Sequence, residues 1–169
     1  MQPHVNPTVT APTGCRARLL SVTAWLGRFP LPIAQVFFRL AIASVFMKAG
    51  LTKTTSWEFT VQLFADEYQV PVLPPEVAAV MAATLELSCS ALLALGLATR
   101  LATLPLLGMI AVIQTFVYPH AWSEHLTWGS ILLFLLTRGG GPLSLDRLVG
   151  LEPAPTHKAE EEHHAQSRA

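Results

Sequence analysis

The run from Pro32 to Gly50 is almost wholly apolar and yet contains an arginine, Arg39. If this run is helical, the face that carries Arg39 also carries three later residues at spacings of 7, 4 and 3, namely Phe46, Gly50 and Lys53. A charge inside a membrane-spanning helix costs about 3 kcal/mol or more, and it usually faces a partner or a wet cavity. The stretch therefore predicts a membrane-embedded bundle of helices with a buried ionic centre.

The composition supports an integral membrane protein. The chain has 169 residues, of which 51% are hydrophobic and 13% are charged, whereas soluble domains carry about 25% charged residues. The lipid bilayer is therefore the expected surrounding, and a net charge of zero gives no reason to expect a nucleic-acid partner. The two cysteines, Cys15 and Cys89, form no C-x-x-C motif, so a thiol-exchange centre is not expected.

Four apolar runs predict an all-α, four-helix transmembrane bundle, with spans at about residues 32–51, 76–97, 101–118 and 123–137. The fourth run is the weakest, because about 14 residues give only about 21 Å of helix against roughly 30 Å of hydrocarbon. Between the first two spans, Trp57, Val61 and Phe64 share a helical face. This pattern predicts a short interfacial helix there, with Ser56 as its N-cap.

The same pass predicts three segments: an N-terminal extension at 1–31, the membrane domain at 32–150 and a disordered polar tail at 151–169. Residues 1–18 are expected to be disordered, and Leu19–Phe29 to form a helix on the membrane surface. With four spans, most basic residues lie on one side of the membrane, and the positive-inside rule then places both termini in the cytoplasm. These residues are Arg16, Arg18, Arg28, Arg100, Arg138, Arg147, Lys158 and Arg168.

Glu86 is the only charged residue deep in the second span, and we predict that it pairs with Arg39. The two residues fall at similar depths in antiparallel helices, and an arginine can form two charge-assisted hydrogen bonds with a carboxylate. A static pair that fixes the register of the helices is one interpretation. The other is a polar floor for a ligand or proton site.

A second polar group is expected at the outer mouth of the bundle, where Lys53, Gln114, His125 and Trp128 should lie at similar depth. These side chains could hydrogen-bond the head group of a quinone. Copper is the weaker alternative, with His120, Glu124 and His125 as candidate ligands, since imidazole suits transition metals. An aromatic belt with interfacial histidines needs no ligand, and the absence of an H-x-x-x-H motif favours it.

The spacing of these residues resembles the DoxX family of small bacterial inner-membrane proteins. The resemblance rests on Arg39-x6-Phe46-x3-Gly50-x2-Lys53, Glu86, Gly96-Leu-Ala-Thr-Arg100, His125-x2-Trp128-Gly129 and Gly141-Pro-Leu-Ser-Leu-Asp146. It covers the chain from about Ile33 to Leu148. It implies four helices, the bacterial inner membrane and an association with membrane redox chemistry, since some relatives are subunits of thiosulfate:quinone oxidoreductase or of oxidative-stress complexes.

We therefore expect an accessory, quinone- or redox-linked subunit of a membrane redox or stress-response system. Its expected partners are other membrane or periplasmic redox or metal-handling proteins. Catalysis by the chain alone is not expected, although it could be a subunit of an oxidoreductase. One alternative is a non-enzymatic copper-handling or assembly protein that docks periplasmic partners, and another is a transporter of small solutes.

Overall fold

The computed structural model describes residues 18, 21–23 and 30–151. The predictions for residues 1–17, for most of Leu19–Phe29 and for the tail from Glu152 lie outside these described residues. The chain separates into two units, residues 1–31 and 32–169. In the first unit Arg18 and residues 21–23 are helical. The predicted domain boundary at residue 150 stays a prediction.

All regular secondary structure among the described residues is helical, with no strand, so the all-α class is confirmed. Two of the helices end in a π-helical turn, which widens the last part of each helix. The elements in chain order are α1 (Leu31–Thr55), α2 (Trp57–Leu63) with its π-turn (Phe64–Tyr68), α3 (Pro75–Leu95), α4 (Thr99–Val112) with its π-turn (Ile113–Val117), α5 (Trp122–Arg138) and α6 (Leu145–Leu148).

Three helices are long and apolar enough to cross a membrane, namely α1, α3 and α4 with its π-turn. Helix α5 has 17 residues, or about 26 Å, so a fourth span stays a prediction. Helix α2 forms where an amphipathic helix is expected, but its position at a membrane surface also stays a prediction. Ser56 occupies its N-cap without a side-chain capping bond, and its carbonyl accepts the Thr60 N–H.

The core lies between α1, α3, α4 and α5, and α4 packs against both α3 and α5. Its fully buried side chains include Ile42, Leu93, Leu106, Leu132 and Leu135. Many large apolar side chains are exposed instead, among them Phe37, Phe59, Leu101, Phe116 and Leu133. Exposed apolar side chains of this size are suited to contact with lipid.

Candidate functional site

Arg39 is buried, and its guanidinium contacts backbone carbonyls. Its Nη1 donates to the carbonyl oxygens of Gly140 at 3.0 Å and Leu143 at 3.3 Å, both in the segment after α5. Charge-assisted bonds to carbonyls satisfy a buried cation without a carboxylate. The predicted pairing of Arg39 with Glu86 is wrong, because Glu86 takes a different partner.

Asp146, at the start of α6, caps a helix from elsewhere in the chain. Its two carboxylate oxygens accept the backbone N–H groups of Ala98 and Thr99, at the first turn of α4. Its own N–H donates to the carbonyl of Gly96 at 2.9 Å. Ala98 occupies the N-cap of α4 and has no side-chain acceptor, so Asp146 supplies the capping oxygen and a favourable negative charge.

Two glycines make room for these contacts. Gly96 has φ +70°, and a Cβ there would overlap the guanidinium of Arg39. Gly141 has φ +82°, and a Cβ there would overlap the amide of Gln35. We call the contacts of Arg39 and Asp146 with residues 96–99 and 139–146 the clasp. The clasp joins the first third of α1, the turn between α3 and α4, and the segment after α5.

Glu86 pairs with Lys53 at the other end of α1. Lys53 Nζ lies 2.8 Å from Glu86 Oε1, and the side chain of Glu86 is only 4% exposed. The second oxygen, Oε2, is buried and has no hydrogen-bond partner among the described residues. A Cβ at Gly50 would contact Leu87 and Glu86, so this glycine allows α1 and α3 to approach closely beside the pair.

The register of α1 against α3 explains why Lys53 replaces Arg39 as the partner. Helix α1 extends to Thr55, beyond the end expected near Leu51. Lys53 therefore lies inside the helix and about 21 Å along it from Arg39. Glu86 is about 16 Å from the start of α3, whereas Lys53 is only about 3 Å from the end of α1, so the two meet because the ends of these antiparallel helices are not level. The close approach of Gly50 to Leu87 and of Gly96 to Arg39 fixes the same register.

The ion pair borders a cavity of about 320 Å³ between α3, α4 and the two π-turns. Its walls are mainly apolar, and we call it the Glu86 cavity. Five of its lining residues are exposed, namely Leu73, Met81, Gly108, Val112 and Tyr118. Three of them, Met81, Gly108 and Val112, lie on α3 and α4 among side chains suited to contact with lipid, and we take this side as the opening of the cavity. Its remaining walls include Phe64, Ala78, Ala82, Leu85, Pro105, Met109, Ile113 and Val117.

Two tyrosines line the cavity near the π-turns. The rings of Tyr68 and Tyr118 meet edge to face, with centroids 5.8 Å apart. The Tyr118 hydroxyl donates to Glu67 Oε1, and this bond, followed by burial, raises the pKa of Tyr118. Burial is the main cause that raises the pKa of Tyr68. Both phenols therefore remain hydrogen-bond donors at neutral pH.

Three of the four residues predicted for the outer mouth lie together. The buried ring of His125 shares a hydrogen bond between Nδ1 and Gln114 Oε1, and it meets the Trp128 ring edge to face at 5.6 Å. The fourth residue, Lys53, is bound to Glu86. Lys53 and Trp128 do share the lining of a second cavity, a broad groove of about 710 Å³ beside α1 and α2.

The three weak candidates for metal ligands differ in exposure. His120 and Glu124 are exposed, while His125 is buried against Gln114. Within residues 18, 21–23 and 30–151, no group of three or more histidine, cysteine or acidic side chains could hold a metal ion. Among the described residues, no contact therefore supports the copper alternative.

A family model described as DoxX matches residues 34–119. This match covers just over half of the chain. The chain belongs to the DoxX family. No curated protein and no solved structure matches it significantly. The matched residues include Lys53, Glu86 and the whole lining of the Glu86 cavity, whereas His125, Trp128 and Asp146 lie beyond the match.

Apart from Lys53 and Glu86, the sequence did not identify the walls of the cavity. Among the other wall residues, Gly108 offered a sequence signal for open space. A glycine within an apolar helix costs about 1 kcal/mol relative to alanine, so its presence there suggests a packing or functional reason. Here a Cβ at Gly108 would meet nothing within 4 Å. The contact between Glu67 and Tyr118 joins residues 51 apart, and no spacing in the sequence indicates it.

Proposed function

We propose that this DoxX protein is an accessory subunit of a membrane redox or stress-response system, and that it binds a quinone in the Glu86 cavity. One observation carries the proposal: an apolar cavity lined by exposed residues of α3 and α4, two helices suited to span a membrane, has a buried ion pair, Lys53 with Glu86, in its wall. Apolar walls with a few placed polar groups are typical of small-molecule sites. A quinone combines an apolar tail with a polar ring in the same way.

The position of the opening favours a ligand that is dissolved in the membrane. Gly108 and Met81 border the opening and belong to helices suited to span a bilayer. A ligand could pass between these helices from the hydrocarbon and place its head group beside Lys53 and Glu86. Its electrons would be exchanged with other membrane or periplasmic redox proteins, which are the proposed partners.

We also propose four spans with both termini in the cytoplasm of a bacterial cell, α5 being the fourth span and α2 an interfacial helix. The clasp supports an even number of spans. It brings the early part of α1, the end of α3 and the segment after α5 together, as expected when helices alternate in direction. The basic residues Arg100, Arg138 and Arg147 lie at these same chain segments, in agreement with the positive-inside rule.

The test of the proposal blocks the opening of the cavity. Gly108→Leu places a side chain at the opening, and the open space around Gly108 predicts that the helix tolerates it. The protein in lipid nanodiscs is titrated with decylubiquinone, and the shift of its thermal unfolding temperature is measured. We expect a concentration-dependent rise for the wild type and a loss of most of that rise in Gly108→Leu.

Gly129→Leu is the matched control, because a Cβ at this helical glycine also meets nothing within 4 Å and Gly129 does not line the cavity. It should keep the wild-type response. An unchanged response in Gly108→Leu would assign the ligand to another site. A wild-type protein that does not respond to quinone at all would overturn the proposed function.

A further inference from the structure

We propose that the Glu86 cavity selects the reduced ligand, a hydroquinone, by accepting one of its O–H groups at Glu86 Oε2. This inference rests on the proposed function and names the form of the ligand. Its structural basis is the difference between the two carboxylate oxygens of Glu86. Oε1 is engaged by Lys53, whereas Oε2 is buried without a partner among the described residues.

An ionised carboxylate can only accept hydrogen bonds. A buried acceptor that is left unpaired loses its hydration without compensation, so a ligand that brings a donor to Oε2 gains a charge-assisted bond. A hydroquinone has two O–H donors. An oxidised quinone has only carbonyl acceptors, and its oxygen would gain nothing from Oε2.

Lys53 gives the oxidised form a weaker alternative. Its ammonium group has three donors, and Glu86 Oε1 uses one of them. Another donor could bind a quinone carbonyl, so the oxidised form is expected to bind, but without the contact to Oε2. One charge-assisted bond then separates the two forms, which corresponds to a preference of about 10- to 100-fold.

This preference has an electrochemical consequence. Tighter binding of the reduced form raises the reduction potential of the bound couple, and a tenfold preference in a two-electron couple corresponds to about 30 mV. The cavity would therefore favour quinone reduction at this subunit. The two electrons for this reduction come from the oxidation of a donor by a partner protein, and the two protons come from water.

The experiment measures dissociation constants for decylubiquinone and decylubiquinol under anaerobic conditions, with the wild-type protein in nanodiscs and quenching of tryptophan fluorescence as the readout. We expect the reduced form to bind at least tenfold more tightly. The dimethyl ether of decylubiquinol keeps both oxygens but has no O–H donor. It should bind no better than the oxidised quinone, and this comparison needs no variant protein.

Glu86→Gln then tests the assignment to this residue, because the amide removes the charge and replaces one acceptor by a donor. The preference for the reduced form should fall below about threefold. Glu76→Gln is the matched control, since it makes the same change on an exposed residue in the first turn of the same helix. It should keep the wild-type preference.

The outcomes separate this inference from the proposed function. Equal binding of the oxidised and reduced forms to the wild type would overturn the inference and leave quinone binding intact. A Glu86→Gln protein that folds and keeps the full preference would also overturn it. Failure of both forms to bind would overturn the proposed function itself.

Discussion

The clasp and the Glu86 cavity both bury charged side chains, but they differ in how those charges are satisfied. In the clasp, both oxygens of Asp146 accept backbone N–H groups, and Arg39 donates to two carbonyls. In the cavity, Glu86 uses one oxygen and leaves the other without a partner among the described residues. A buried charge alone therefore does not indicate a ligand site. The proposed site rests on a buried carboxylate that keeps one oxygen without a described partner and borders a cavity. Thr99 Oγ1 of the clasp, also without a partner among the described residues, is instead a neutral hydroxyl and lines no described cavity.

The glycines of the two regions show the same contrast. Space beside Gly96 is filled by the guanidinium of Arg39, so this glycine is needed for packing. Space beside Gly108 is open and borders the cavity. The clasp is thus a closed structural unit, whereas the cavity keeps room that packing alone does not require.

The largest predicted effect tests whether the clasp is structural. Gly96→Ala should destabilise the protein by about 3 kcal/mol or more, because the new Cβ overlaps the buried Arg39 guanidinium and the residue must also keep a left-handed backbone. The measurement is thermal or denaturant-induced unfolding in detergent micelles.

Gly150→Ala is the control for backbone strain, because Gly150 has φ +74° and nothing lies within 4 Å of its Cβ position. It should lose only about 1 kcal/mol. The difference between the two variants isolates the clash with Arg39. Equal losses would mean that the packing around Gly96 is loose and that the clasp is not a closed unit.

The second prediction asks whether the ion pair of the cavity is needed for folding. Lys53→Met leaves the buried Glu86 carboxylate without its cation and should destabilise the protein by about 2 kcal/mol. The double variant Lys53→Met/Glu86→Leu removes both charges and should recover most of that loss, since apolar replacements of a buried pair are often neutral. Unfolding is measured for both variants and for the wild type.

The double variant also sharpens the comparison with the clasp. It should fold normally and bind decylubiquinol at least tenfold more weakly than the wild type. A double variant that stays as unstable as Lys53→Met would show that the pair is structural, as the clasp is. The contrast between the two regions would then fail.

The sequence predicted the fold better than the site. Apolar runs and their proline and glycine boundaries identified α1, α3, α4 and α5 because these signals are local. The burial of Arg39 and Glu86 was also expected, since charges in apolar helices must face inward. Their pairing was wrong because depth was counted as if the facing ends of α1 and α3 were level, whereas the contacts of Gly50 with Leu87 and of Lys53 with Glu86 set a different register.

The other contacts of the site could not be predicted from residue spacing in the sequence. Asp146 caps α4 across 47 residues, and no pattern in the sequence indicates which helix a distant carboxylate caps. Gln114 and His125 were expected at one depth and do lie together, because only a short loop separates their helices. The cavity depends on how the two π-turns widen their helices against α3, which is a property of the assembled packing.

Beside the Glu86 cavity, Glu67 and two tyrosines form a polar group that is partly exposed. Tyr118 and Glu67 are both exposed, in contrast to the buried Asp146. The protein has only two tyrosines, Tyr68 and Tyr118, so an absorbance titration reports on both and on nothing else. The raised pKa values of the two phenols predict that ionisation begins above the ordinary range near pH 10.

The smallest predicted effect comes from Glu67→Gln, which removes the carboxylate that accepts the hydrogen bond of the Tyr118 hydroxyl and opposes the phenolate charge. The pKa of Tyr118 should fall towards its ordinary value, while burial keeps that of Tyr68 raised.

A raised pKa adds stability that is fully present below about pH 10 and is lost as pH rises through the folded-state pKa. Wild type should therefore lose more stability than Glu67→Gln in that alkaline window, and Glu58→Gln, an exposed change on α2, should behave as wild type. Identical tyrosine titrations for wild type and Glu67→Gln would show that this contact does not hold Tyr118 beside the cavity.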